Sequence, residues 1–239
     1  KKIVLDAVRA IGYALEYASP RLRDAENVVL AAVSDSGAAL KFASDRLKAK
    51  RDVVLAAIKQ SGRALEWASE ELRGDKEIVL TAVKNGGSIG NASPELRSDD
   101  EVVFAALDRF GGELEYAAEK YKNDRRTVLM VIEEYGRALK YASPELKNDK
   151  ELVMKAIESD PYALEFATEE FRNDKEVVLS AMKLSGFAFQ HASEELQNDK
   201  DIIIASVKQI GFGNFIMNFP EIVEKFKDDP EFLAKLKTR

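Results

Sequence analysis

Cysteine is absent from the 239 residues, and histidine and tryptophan occur once each. The first absence excludes a disulfide framework and any thiolate metal site. A single histidine excludes the paired imidazoles of HExxH-type zinc centres. Long hydrophobic runs are also missing. The longest, such as IIIASV at Ile202–Val207, fall far below the ~20 residues a membrane-crossing helix needs, so no membrane insertion is expected. No excess of positive charge exists: formal net charge is -6 and the pI about 5.2. That sign opposes non-specific binding to nucleic acid or anionic lipid, and no nucleic-acid partner is expected. No signal peptide is visible, and a soluble existence in a reducing compartment, cytoplasm or organelle interior, is the expectation. The opening KKIVL falls inside a repeat, from which the natural protein is expected to extend upstream, with a partner contact possible at this uncapped end.

What is present is a period. The third large apolar residue of each unit falls at Leu5, Leu30, Leu55, Leu80, Phe104, Leu129, Met154, Leu179 and Ile204. The spacing is 25 residues, shortened to 24 once by a deletion within Ser88–Ala92. Glycines at 12, 37, 62, 87, 111, 136, 186 and 211 keep the same register, and Pro161 fills the remaining place. With 46% hydrophobic and 33% charged residues the chain is foldable rather than disordered. Repetition of this kind overrides the length-based expectation of one or two globules.

The runs DKEVVLSAMKLSG (Asp174–Gly186) and ALKYASPELKNDKE (Ala138–Glu151) resemble an uncharacterised tandem repeat known only as a domain of unknown function, found in multi-copy arrays in bacteria and protists. The resemblance covers nearly the whole chain to Gly211. It implies a helical repeat and carries over no activity and no catalytic residue. Pro161, Asn91 and the tail after Gly211 depart from its pattern.

Each unit reads as helix, corner, short helix, single turn and cap. Asp75, Asp99, Asp124, Asp149, Asp174 and Asp199 precede the apolar run and read as N-caps. The following run, Val53–Val54–Leu55 with Ala57–Ile58 in the third unit, has the spacing of a helix with one broad buried face. The glycine is either the left-handed end of this helix or the first residue of the next. Pro161 favours the second reading in its own unit, because proline suits a first helical position and cannot take positive φ. Ser19-Pro20, Ser93-Pro94 and Ser143-Pro144 read as cap and first residue of one further turn. A ten-residue helix is marginal alone, and one unit has too few large apolar side chains to offset ordering its backbone. Stability must therefore come from stacking on neighbours. The expected fold is all-α: a right-handed α-solenoid of about nine 25-residue repeats over 1–211, with units beginning near 1, 25, 50, 75, 99, 124, 149, 174 and 199. Residues 212–239 are expected to form a C-terminal helical cap, in which Phe215, Phe219 and Phe226 supply apolar cover.

The search for chemistry is mostly negative. No phosphate-binding GxxxxGK[ST] appears, and carboxylates fall in solvated columns. No catalytic, cofactor or metal residue is assigned and no cofactor is expected. His191 occupies a column otherwise filled by Tyr17, Phe42, Trp67, Tyr116, Tyr141 and Phe166, with Asn91 the other exception, and reads as packing. A basic column (Arg23, Lys48, Arg73, Arg97, Lys122, Lys147, Arg172) is broken by Gln197. Acidic residues three positions earlier in several units make it a solvated, locally paired face rather than a polyanion track. Apolar residues gather at the corners, at Phe110, Tyr135, Tyr162, Phe187, Ile210 and Phe212. These are the candidate partner-binding residues, since the corners of a solenoid line one edge. The functional expectation is a non-enzymatic protein–protein interaction scaffold or a structural subunit of a larger assembly, with another protein as partner. The alternative is the targeting or regulatory arm of an enzyme whose catalytic domain lies outside this chain.

Overall fold

A computed structural model describes residues 2–237. Among these residues the secondary structure is entirely helical. The chain divides into two compact units, Lys1–Lys120 and Tyr121–Arg239.

In the first unit, repeat 3 shows the local plan. A ten-residue α-helix, Arg51–Gln60, ends at Ser61 in an extended conformation. A 3-10 helix, Gly62–Trp67, follows, and then a four-residue α-turn, Glu70–Arg73. In the second unit repeat 7 has the same parts: Lys150–Ser159, Pro161–Phe166 and Glu169–Arg172. The second helix of the repeat is thus of 3-10 type, with Ala64 N donating to Ser61 O at 2.9 Å. Within each unit successive long helices pack side by side, as do successive 3-10 helices. Val53, Val54, Ala57 and Ile58 are buried in this contact, and so is Leu65 of the 3-10 helix. Each such Val, Ile or Leu contributes roughly 1.5–3 kcal/mol relative to exposure.

The aspartates cap as their spacing predicts. Asp75 accepts from Ile78 N at 3.1 Å, Asp124 from Thr127 N at 2.9 Å and Asp199 from Ile202 N at 3.2 Å. Ser93 and Ser143 do likewise before their short turns, accepting from Leu96 N at 3.5 Å and Leu146 N at 3.3 Å, whereas Ser19 stands at the cap position without a side-chain bond.

Gly12, Gly37, Gly62, Gly111, Gly136 and Gly186 are first residues of 3-10 helices, as is Pro161, whereas Gly211 ends its long helix at φ 85° and Gly87 lies between helices. Among the described residues only Gly86 and Gly211 have positive φ. The reason for glycine elsewhere lies in the next repeat. A Cβ on Gly37 would stand 2.4 Å from Ala57 O, and one on Gly136 would stand 2.2 Å from Ala156 O. The following long helix therefore rides directly on the glycine. It also supplies the acceptor for the glycine amide: Gly12 N donates to Asp35 Oδ2 at 2.7 Å, Gly37 N to Gln60 Oε1 at 2.6 Å and Gly136 N to Ser159 Oγ at 3.1 Å.

Two further links join neighbours inside each unit. Backbone bonds run from the capping serine to the preceding turn, as in Ser69 N to Lys48 O at 2.9 Å and Ser143 N to Lys122 O at 3.0 Å. A ladder of ion pairs runs from the first residue of one long helix to the cap and first turn of the next. Lys76 meets Asp99 and Glu101, each at 2.9 Å; Arg125 meets Asp149 at 2.8 Å and Glu151 at 2.5 Å. One rung is inverted: Glu26 is the anion and Lys50 the cation, at 2.5 Å.

In the second unit the C-terminal helices Phe212–Asn218, Pro220–Lys225 and Pro230–Lys237 follow the last repeat. Phe215 and Phe219 are buried, with ring centroids 5.6 and 5.1 Å from that of Phe189. Phe226 lies 4.9 Å from Phe232. Asp229 caps the final helix through Phe232 N at 3.0 Å and receives Lys200 at 2.5 Å, so the ladder continues onto it.

Candidate functional site

The corner residues singled out by sequence are not equivalent. In the first unit Phe110 is 59% exposed. In the second unit Tyr135, Tyr162, Phe187, Ile210 and Phe212 are each half-buried. Tyr162 shows what covers them. Its ring lies edge-on to His191 at 5.8 Å, its hydroxyl is 3.3 Å from Ser185 Oγ, and the Arg137 guanidinium sits 6.0 Å from its centroid. Tyr162 therefore touches both neighbouring repeats and keeps part of its surface exposed. The first repeat adds two exposed corner residues that sequence reasoning passed over, Ile11 and Tyr13. They occupy the same two columns as Phe110 and Tyr162, and that register was the available signal.

His191 is half-buried, and burial holds its pKa below the ordinary imidazole value. Its neighbour Ser193 is committed elsewhere: the hydroxyl donates to Asn173 Oδ1 and accepts from Leu196 N. The pair is packing and capping, not a nucleophile with its base.

The basic column also has a local occupation. Arg23 Nε donates to Ala18 O and Arg23 Nη2 to Glu16 O, both at 2.9 Å. Gln197, the break in the column, makes the same two bonds one repeat type later, to Ala192 O and Gln190 O, both at 3.0 Å. Arg23 and Gln197 thus close the carbonyl end of the preceding 3-10 helix, whereas the Nε atoms of Arg73, Arg97 and Arg172 are buried without a hydrogen-bond partner. Two of the predicted i, i+3 pairs form as well, Asp45–Lys48 at 3.8 Å and Glu169–Arg172. Burial pushes the Lys147 ammonium below its usual pKa, with Lys140 adding to the effect. Replacing Arg23 by Gln is expected to leave stability nearly unchanged, because Gln197 shows that an amide reaches the same carbonyls. Arg23→Ala removes both donors and is expected to cost about 1–2 kcal/mol, read as a lowered urea midpoint.

The departure at repeat 4 opens a cleft in the first unit. The deletion shortens the 3-10 helix to Ile89–Asn91, preceded by Gly86 at φ 81°. Glu113 of the next repeat holds this turn, accepting from Ser88 Oγ and Ile89 N at 2.9 Å each. Burial raises the Glu113 pKa above the ordinary carboxyl value, against those two hydrogen bonds. Beside it lies a cleft of about 610 Å³, whose walls include Arg63, Trp67, Asn91, Arg109, Phe110 and Glu113. Arg109 Nη1 donates to Lys84 O at 3.1 Å, closing the end of the previous long helix.

Among the described residues no group of three or more His, Asp or Glu side chains is placed to hold a metal ion, and no helix is long and apolar enough to cross a membrane.

The profile of one family, described as "Domain of unknown function (DUF4116)", matches residues 1–48, 26–73, 50–97, 75–122, 124–172 and 174–223. The chain belongs to this family. The DUF4116 matches overlap in tandem through the first unit, each spanning about two of the 25-residue repeats. No curated protein and no solved structure matches the chain.

Proposed function

We propose that this DUF4116 array is a non-enzymatic protein-interaction scaffold or a structural subunit of an assembly. The observation that supports it is the set of apolar corner side chains within the second unit, with Phe110 a further one in the first. Phe110 is more than half exposed, and Tyr135, Tyr162, Phe187, Ile210 and Phe212 each retain exposed surface, directly before or directly after the glycine column of their repeats. Aromatic side chains held by neighbours and open on one side bury large area at little entropic cost, which is what an interface anchor needs. The ion-pair ladder and the glycine amides are by contrast consumed in joining repeats.

The test uses the tagged full chain in its native source, compared with a Phe187→Ala/Phe212→Ala variant. Loss of a co-purifying protein from the variant, with an unchanged circular dichroism melt, supports the reading. Identical co-purifying proteins for both chains place the contact elsewhere and remove this edge from consideration.

A further inference from the structure

Arg63 and Arg137 stand at the same corner position of repeats 3 and 6, directly after Gly62 and Gly136, yet their surroundings differ. Arg137 is met by the following repeat. Its guanidinium lies 5.9 Å from the Phe166 centroid and 6.0 Å from that of Tyr162, and Nη2 is 3.4 Å from Glu165 Oε2. An aromatic ring and an adjacent carboxylate, contributed by the consecutive residues Glu165 and Phe166, satisfy this cation.

Arg63 also faces a following repeat, but the corresponding residues there are Gly90 and Asn91. It is exposed and forms no ion pair, hydrogen bond or ring contact among the described residues. The ring and the carboxylate that the fold elsewhere provides are both missing at this junction. Gly90 does not compensate: the Tyr116 ring leans across it, so close that a Cβ would meet Tyr116 Cδ1 at 2.9 Å. What takes the place of the absent pair is the 610 Å³ cleft, with Trp67 and Phe110 in its walls. A concave site with aromatic walls and an unspent guanidinium has the makeup of a recognition pocket.

We propose that the cleft between repeats 3 and 5 binds a segment of a partner protein that presents an acidic residue next to an aromatic one. The carboxylate pairs with Arg63 and the ring lies against Trp67 and Phe110, reproducing in trans the arrangement that Glu165 and Phe166 make with Arg137. Arginine suits this role because its planar group stacks on a ring and pairs with a carboxylate at once. The opposing charge in the cleft is Glu66, exposed on the same 3-10 helix as Arg63, together with Glu113, which is already held by Ser88 and Ile89. If those two carboxylates set the preference, a cationic peptide binds instead. The proposal deepens the interaction reading by naming the chemistry of the partner, and its test does not depend on the corner variants.

Trp67 is the only tryptophan in the chain, so fluorescence excited at the red edge, where the seven tyrosines absorb little, reports on this cleft. The probe is the capped dipeptide N-acetyl-Glu-Phe-amide, titrated into the full chain beside the Gln-Phe, Glu-Ala and Lys-Phe analogues. The expected result is saturable change in Trp67 emission with Glu-Phe, and affinity lower by about tenfold or more for Gln-Phe and Glu-Ala, the effect of losing one charged or one ring contact. Arg63→Gln, an exposed substitution, is expected to erase the preference for Glu-Phe over Gln-Phe. Asn91→Phe restores the ring found at this position in most repeats and is expected to block binding while leaving the melting temperature unchanged or raised. Equal binding of Lys-Phe, or no saturable response to any peptide, overturns the proposal. Loss of binding only when Asn91→Phe also lowers the melting temperature, with Arg63→Gln showing no effect, overturns it equally.

Discussion

Gly37→Ala and Gly136→Ala are expected to lower the unfolding free energy by about 3 kcal/mol each, the upper end of what overpacking a close-packed interior costs. The added methyl would lie 2.4 Å from Ala57 O in the first case and 2.2 Å from Ala156 O in the second. The obstacle is backbone, which cannot rotate away as a flexible side chain can. Relief requires the next long helix to withdraw, and withdrawal also strains the bond from Gly37 N to Gln60 Oε1 at 2.6 Å. The comparison is Gly213→Ala. Gly213 lies inside a helix with negative φ and nothing within 4 Å of its Cβ position. There alanine is expected to stabilise by up to about 1 kcal/mol, the helix-propensity difference. Urea unfolding followed by circular dichroism separates the two outcomes. A small effect at both Gly37 and Gly136 would show that the repeats are not in backbone contact.

The second large effect is acid denaturation. Asp99 and Asp199 are held below the ordinary carboxyl pKa chiefly by Lys76 and Lys175, and Asp124 by Thr127. At Asp75 and Asp174 burial pushes the pKa upward but is outweighed, at Asp75 by the Ile78 amide and Arg51, at Asp174 by Lys150 and the Glu176 amide. In each case the folded pKa lies below the unfolded one, which is about 3.9. The unfolded chain then binds protons first, so these groups contribute fully above about pH 4 and lose their contribution as pH falls through their folded values. Because the same pair recurs along the array, the losses fall in one narrow window. The melting temperature is expected to be nearly flat from pH 8 to 5 and to drop steeply below pH 4. Glu113 acts in the opposite direction: its raised pKa makes protonation favour the fold, so Glu113→Gln is expected to remove a small gain on mild acidification. A Lys76→Gln/Lys150→Gln/Lys175→Gln variant should show a shallower acid limb. An unchanged limb would mean that the ladder does not couple to folding.

The repeat, the caps and the buried face were legible because each is a local signal. An aspartate before an apolar run needs only its own next three residues to become a cap. The 3-10 character of Gly62–Trp67 was not legible, since six residues are too few to separate a three-residue from a 3.6-residue period. The purpose of the glycine column was half legible. Pro161 excluded a left-handed backbone, but the carbonyl that forbids a side chain belongs to a residue twenty positions on, and no window of sequence displays it. The basic column was half legible: the local pairs Asp45–Lys48 and Glu169–Arg172 form, but that Arg23 turns back onto Ala18 and Glu16 is a matter of direction, which is not written in spacing. The deletion and Asn91 were visible as irregularities. That they leave Arg63 without the ring and carboxylate that Arg137 enjoys emerges only when two junctions are laid side by side.

The inverted rung between Glu26 and Lys50 bears on how such a gene can change. Wherever the cation leads and the anion follows, a 25-residue cassette can be duplicated or lost by unequal recombination and every new seam still joins opposite charges. The Glu26–Lys50 seam is different: Glu26 would repel the aspartate cap of most other cassettes, and the cassette led by Asp100 has the same constraint, while those led by Arg51, Lys76, Arg125, Lys150 and Lys175 stay free to multiply.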